Sequence, residues 1–188
     1  MGRLVLIRHG QTEWSAAGRH TSHTDLELTD DGEREARALA PKLADWNFAA
    51  VLSSPRLRAM RTAELAGLTV TAVDDDLTEW DYGQYEGVTT TEIRRRRPNW
   101  SLWTDGAPGG ESPDHVAKRI DRLLGRVSPA TVDGDIAIIG HGHLLRALAA
   151  RWLGLPVADG ALFRLDVGTI SLLGHEHDRP VIEQWNVR

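Results

Sequence analysis

Hydrophobic and polar positions follow two rhythms along the 188 residues of the chain. Short, nearly continuous apolar runs stand at Leu4–Arg8, Ala49–Ser53, Thr69–Val73 and Asp135–Gly140. Runs of that length with no polar face fit strands buried on both sides. Between them apolar residues recur at three- and four-residue spacing, the helical period. Thr29 is suited to cap a helix carrying Ala36, Leu39, Ala40, Leu43 and Ala44. Pro55 suits the first turn of a second helix running to Ala66, with Gly67 at its end. Further helices are predicted over Thr89–Arg97, stopped by Pro98, over Pro113–Val127, and over Leu144–Leu153, ended by Gly154 and Pro156. Ala161–Val167, Thr169–Leu173 and Val181–Trp185 read as late strands, some of them antiparallel. The β-α-β-α order predicts an α/β fold, a three-layer αβα sandwich with a mainly parallel central sheet, as one domain over residues 1–188.

Sheets of this kind bind ligands just beyond the carboxyl ends of their strands. Three such exits are Arg8-His9-Gly10, Ser53-Ser54-Pro55 and Gly140-His141-Gly142-His143. Two of them join a histidine to a glycine, which lets backbone approach a ligand and leaves N–H groups unobstructed. Helix N-termini follow at least two exits and favour anions. With the forked donors of Arg8 and Arg58 added, the constellation reads as a phosphate site.

Composition narrows the chemistry. The chain has no cysteine, so a thiolate nucleophile, a disulfide framework and a Cys-based zinc site are excluded. It also has no Walker-type glycine loop. A histidine is then the natural nucleophile, since an unprotonated imidazole is available near neutral pH. A leaving alkoxide needs a proton, and Glu79 in LTEWDYGQYEG is the best-placed carboxyl group, with Asp81 and Glu86 as rivals. The net charge of −5 and a pI near 5.9 argue against nucleic acid as a partner. No apolar run reaches the length of a membrane span or a signal h-region, and a cytoplasmic location is expected. A metal hydrolase built on His9, His141 and His143 is disfavoured by the missing HExxH pattern and by arginines that repel a cation.

Four segments, RHGQTEW, SSPRLRAMRTAE, LTEWDYGQYEG and GHGHLLRAL, together resemble the histidine phosphatase superfamily in its phosphoglycerate-mutase-like branch, and within it the mycobacterial acid phosphatases. The resemblance runs from Leu4 to about Leu153. It implies His9 as a phosphorylated nucleophile, Arg8 and Arg58 as phosphate clamps, His141 as a second pocket histidine and Glu79 as general acid and base. It implies substrate contacts from Ser15, Thr21, Ser22, Tyr82, Gly142 and His143, a small phosphorylated substrate, and neither metal nor cofactor. Two positions depart from the family pattern: Ser15 stands where asparagine is frequent, and Thr21-Ser22 where Ser-Gly is frequent. The mutases of the branch carry a longer insertion after the glutamate motif, so a phosphatase is expected, with a mutase as the alternative. Trp100 and Trp103 suit either a lid or a cover for the core. His20 and His23 suit the pocket rim or an ordinary surface loop, and Arg94–Arg97 a solvated helix face or a surface that steers anions. Monomer and homodimer both stay open.

Overall fold

The computed structural model describes residues 2–127 and 134–188. Six strands form one sheet: β1 (Leu4–Arg8), β2 (Phe48–Ser53), β3 (Ala72–Val73), β4 (Asp135–Gly140), β5 (Ile170–Glu176) and β6 (Arg179–Val187), in the order β3-β2-β4-β1-β5-β6. β1, β2, β3 and β4 run parallel, whereas β5 and β6 return antiparallel. The α-helices are α1 (Glu13–Ala16), α2 (Asp30–Leu43), α3 (Leu57–Leu65), α4 (Thr90–Arg96), α5 (Leu102–Asp105), α6 (Pro113–Val127) and α7 (Gly142–Trp152).

The period-two geometry of a strand divides the apolar residues of β1 between two cores. Leu4 and Leu6 join Ile120, Leu123, Leu144 and Leu148 from α6 and α7. Val5 and Ile7 join Leu39 and Leu43 of α2 and Ala59 and Ala63 of α3. The architecture is therefore an α/β sandwich, with helices on both faces of a mixed, mostly parallel sheet. Thr29 caps α2 by accepting the Gly32 N–H at 3.1 Å, and Thr89 and Glu92 cap α4 reciprocally.

Register positions the site. β1 pairs with β4 so that Arg8 lies opposite Gly140, and pairing continues one step further as the His9 N–H donates to Gly140 O at 3.1 Å. On the other side of β4 the Ser54 N–H donates to Ile139 O at 3.0 Å. All three strand exits singled out in the sequence thus meet at one edge.

Several expectations are corrected. Pro55 lies ahead of α3, which starts at Leu57, because Ser54 Oγ turns the chain first by accepting the Arg56 N–H. The third strand shrinks to Ala72–Val73. The last helix begins at Gly142 rather than Leu144, which brings the GHG segment onto its N-terminus. Ala161–Val167 is not a strand: Val157–Leu162 form a 3-10 turn. A Cβ at Gly160 would come within 2.5 Å of Trp103, so this apolar stretch anchors a turn against the core rather than pairing in the sheet. Trp100 and Trp103 are buried in the core shared with α6 and α7, and Trp100 Nε1 donates to Gly106 O at 2.9 Å. They cover the core and are not a lid.

Candidate active site

β1 delivers His9 to the site and the next residues fix its ring. Nδ1 lies 2.7 Å from Gly10 O. A carbonyl only accepts, so Nδ1 carries the proton and Nε2 keeps the free lone pair. Gly10 is placed in turn by its own N–H, which donates to Thr62 Oγ1 at 3.1 Å. A Cβ at Gly10 would sit 2.3 Å from Gly32 O, so the chain passes too close to α2 for any larger residue. Burial, then the positive charges of Arg58 and Arg8, hold the His9 imidazole well below its ordinary value. It stays neutral through and below neutral pH.

The two arginines differ. Arg8 Nη1 donates to Leu165 O at 2.5 Å, while Arg8 Nε is buried with no protein partner. An orphaned guanidinium N–H is costly to bury and marks a place for an acceptor. Gly142 makes room for it: a Cβ there would meet Arg8 Cζ at 3.1 Å. Arg58 is fully buried and held on nearly all sides. Its Nη1 donates to Thr24 O at 3.1 Å and its Nη2 to Thr21 O and Ser22 O, each at 3.3 Å. Its Nε donates to His141 Nδ1 at 3.2 Å. Because guanidinium only donates, His141 Nδ1 accepts and Nε2 carries the proton, directed to Ser54 Oγ at 2.7 Å. The His9 and His141 rings meet edge to face, with centroids 5.1 Å apart. His141 is held neutral by burial first and by the Arg58 charge second.

Glu79 lies at the N-terminus of α7. Its Oε1 accepts N–H groups from Trp80 and Leu144, each at 2.8 Å, and its Oε2 accepts the His143 N–H at 3.0 Å. These three N–H groups, two of them from the first turn of α7, fix the orientation of the carboxyl group. The rival carboxylates are engaged elsewhere: Glu86 with the N–H groups of Ser22 and Thr24, and Asp81 with Gly83 N–H and His23. Tyr82 Oη lies 2.7 Å from His143 Nδ1. Burial pushes the Tyr82 phenol well above its usual value, with the Glu79 charge adding to it, so the hydroxyl stays protonated.

A cavity of about 210 Å³ opens at this edge, lined among others by Arg8, His9, Glu79, Tyr82, Gly142 and His143. Of the remaining sequence candidates, Ser15 and Thr21 also line it. The Ser15 hydroxyl is already spent in a reciprocal cap of α1 with Thr12. Ser22 does not reach the cavity wall, because its backbone is tied to Glu86 and Arg58 in a buried turn. Arg58 and His141 lie directly behind the wall rather than on it. His20 lines the cavity, held near pKa 4 by burial, whereas His23 is exposed against Asp81 and Arg56. Arg19, Thr12 and Arg146 also line the cavity and were not singled out in the sequence. Among the described residues no group of three or more His, Asp or Glu side chains is arranged as metal ligands would be.

The chain belongs to the histidine phosphatase superfamily (branch 1), whose family model matches residues 4–188. An acid phosphatase of Mycobacterium tuberculosis is 44% identical over 177 residues, 93% of this chain and 87% of that one. The solved structure of an open reading frame product of the same organism superposes with a TM-score of 0.95 at 40% identity, covering 99% of this chain and 97% of that one. A mycobacterial glucosyl-3-phosphoglycerate phosphatase solved with VO3 gives a TM-score of 0.83 at 32% identity over the whole of both chains. Two of these relatives are named as phosphatases, and a phosphatase activity is supported for this chain.

Proposed function

We propose that the protein hydrolyses small phosphomonoesters in two steps through a phosphohistidine on His9. The observation that carries this is the pairing of a His9 ring with its Nε2 lone pair free and an Arg8 guanidinium whose buried Nε lacks a partner. One supplies a nucleophile and the other a charged donor for the phosphoryl oxygens.

In the first step Nε2 of His9 bonds to phosphorus as the ester P–O bond breaks, and the leaving oxygen takes a proton from the carboxyl group of Glu79. In the second, a water oxygen bonds to phosphorus as the N–P bond breaks, and ionised Glu79 takes the proton of that water. Inorganic phosphate leaves and His9 returns to its starting tautomer. Arg8 donates to the transferring group, the positive charge of Arg58 just behind the wall adds to the field there, and no metal is called for. His141 stays neutral and positions Arg58. Gly142, His143 and Tyr82 shape the cavity around the leaving group, with Ser15 and Thr21 on its wall.

A mutase is the second reading, favoured by a 32% identical bisphosphoglycerate-dependent phosphoglycerate mutase of Cytophaga hutchinsonii that aligns over 77% of this chain. A mutase must keep water from its phosphoenzyme. Here the chain after Gly87 is spent on α4, α5 and α6, and its tryptophans pack into the core. Incubation with 3-phosphoglycerate separates the two. Release of inorganic phosphate, absent in His9→Ala, supports the phosphatase. Formation of 2-phosphoglycerate without phosphate release contradicts it.

A further inference from the structure

One residue of the catalytic cavity belongs to a second feature of the surface. Arg19 lines the cavity and also lines a second, larger groove of about 700 Å³. Arg95, Arg96 and Arg97 line that groove too, with Tyr85, Gly87, Val88 and Ile93. Among the described residues none of these four arginines forms an ion pair. Arg19 Nη1 donates to Gly87 O at 3.1 Å and Arg97 Nη1 to Tyr85 Oη at 3.2 Å, which orients both heads without neutralising either. Among the described residues Glu92 is the one carboxylate on the groove, and its Oε2 is engaged by the Thr89 N–H and hydroxyl at the start of α4.

Basic residues at the end of a helix complement its dipole, which accounts for arginines on the last turn of α4. It does not account for their sharing a groove with a residue of the catalytic wall. Four cations facing one carboxylate create a local positive field in a chain of net charge −5. The small cavity accommodates the phosphoryl group and the first atoms of the leaving group. The arginine groove lies on the other side of Arg19, the residue that lines both.

We infer that the groove formed by Arg19, Arg95, Arg96 and Arg97 is an anion subsite continuous with the catalytic cavity, and that the protein favours phosphomonoesters whose leaving group carries a second phosphate or carboxylate at a distance. This rests on the phosphatase reading above and assigns its substrate class. Guanidinium forks suit both anions, and the second charge stays bound while the first phosphate is transferred.

Straight-chain alkanediol bisphosphates of increasing length, each compared with the matching alkyl monophosphate, test the inference without presuming a sugar or an acid. The expected result is a ratio of kcat/KM, bisphosphate over monophosphate, that rises to roughly tenfold or more at one chain length and falls on either side. Added salt lowers that ratio. In an Arg95→Gln/Arg96→Gln/Arg97→Gln variant, whose exposed side chains bear little on folding, it falls towards one, and Arg19→Gln lowers it as well. A ratio near one at every length, or a preference that survives the triple substitution, overturns the inference and leaves the phosphatase reading standing. Absence of phosphate release even from p-nitrophenyl phosphate overturns both.

Discussion

Arg58 donates its Nε hydrogen to Nδ1 of His141 at 3.2 Å, two fully buried groups brought together from α3 and the N-cap of α7. The contact fixes the imidazole as the Nε2–H tautomer and leaves Arg58 a single free N–H, on Nη1. Arg58→Lys cannot satisfy Thr21, Thr24 and His141 together, because an ammonium lacks the planar fork. It is expected to lower kcat for p-nitrophenyl phosphate by about 10²–10³-fold, as steady-state kinetics will show. A loss below about fivefold contradicts the clamp assigned to Arg58.

Glu86 works at one remove. Its carboxylate accepts the N–H groups of Ser22 and Thr24, and the carbonyls of that turn hold Arg58. Glu86→Ala is expected to raise KM and lower kcat/KM by roughly tenfold, the scale of one charge-assisted hydrogen bond. Glu86→Gln, which keeps an acceptor, recovers part of the loss. Equal behaviour of the two variants counts against the positioning role.

Gly142 has no Cβ where Arg8 Cζ would be only 3.1 Å away. Arg8 is tethered to Leu165 O, so it retreats only by breaking that bond. Gly142→Ala is expected to weaken competitive inhibition by inorganic phosphate by several-fold, of order 1 kcal/mol, with little change in thermal stability. Unchanged inhibition shows that Arg8 does not hold the phosphoryl group.

Three buried histidines and the half-buried His143 make the fold acid-sensitive. His9, His20, His141 and His143 all have folded values below the ordinary 6.5, with burial as the first cause. Below pH 6.5 the unfolded chain therefore binds more protons than the folded one, and stability falls as pH drops. For His20, held near 4, the loss between pH 6.5 and 4 reaches up to about 3 kcal/mol. Urea denaturation midpoints from pH 7.5 to 4.5 are expected to decline, and His20→Asn to flatten the decline. In the same range kcat/KM is expected to show no acid limb near 6.5 from His9, whose own titration lies well below it.

Much of this site was legible in the sequence because strand exits carry their chemistry in contiguous motifs. RHG and GHG needed only the parallel register of β1 and β4 to meet, and continuous apolar runs already indicated a mainly parallel sheet. What was not legible depended on contacts between distant segments. In the sequence Glu86 reads as a rival acid and Ser54 only as part of a strand exit, and Arg146 is not singled out; the fold brings them to the Ser22–Thr24 turn, to His141 and to the cavity wall. Ser15 is expected to contact substrate, but its hydroxyl is engaged with Thr12 in the cap of α1, a four-residue helix that no apolar period marks. The supposed strand at Ala161–Val167 has strand-like residues, but Gly160 must pack against Trp103, and that contact bends the chain into a turn.

The central claim is the covalent intermediate on His9. In Glu79→Gln, p-nitrophenolate still departs because it is stable as an anion and needs no proton, whereas hydrolysis of the phosphoenzyme loses its base. Rapid-quench mass spectrometry of this variant with p-nitrophenyl phosphate should show a burst of one equivalent of product and one phosphoryl group on the peptide containing His9. Turnover with no burst, or a phosphoryl group on any other residue, would contradict the account.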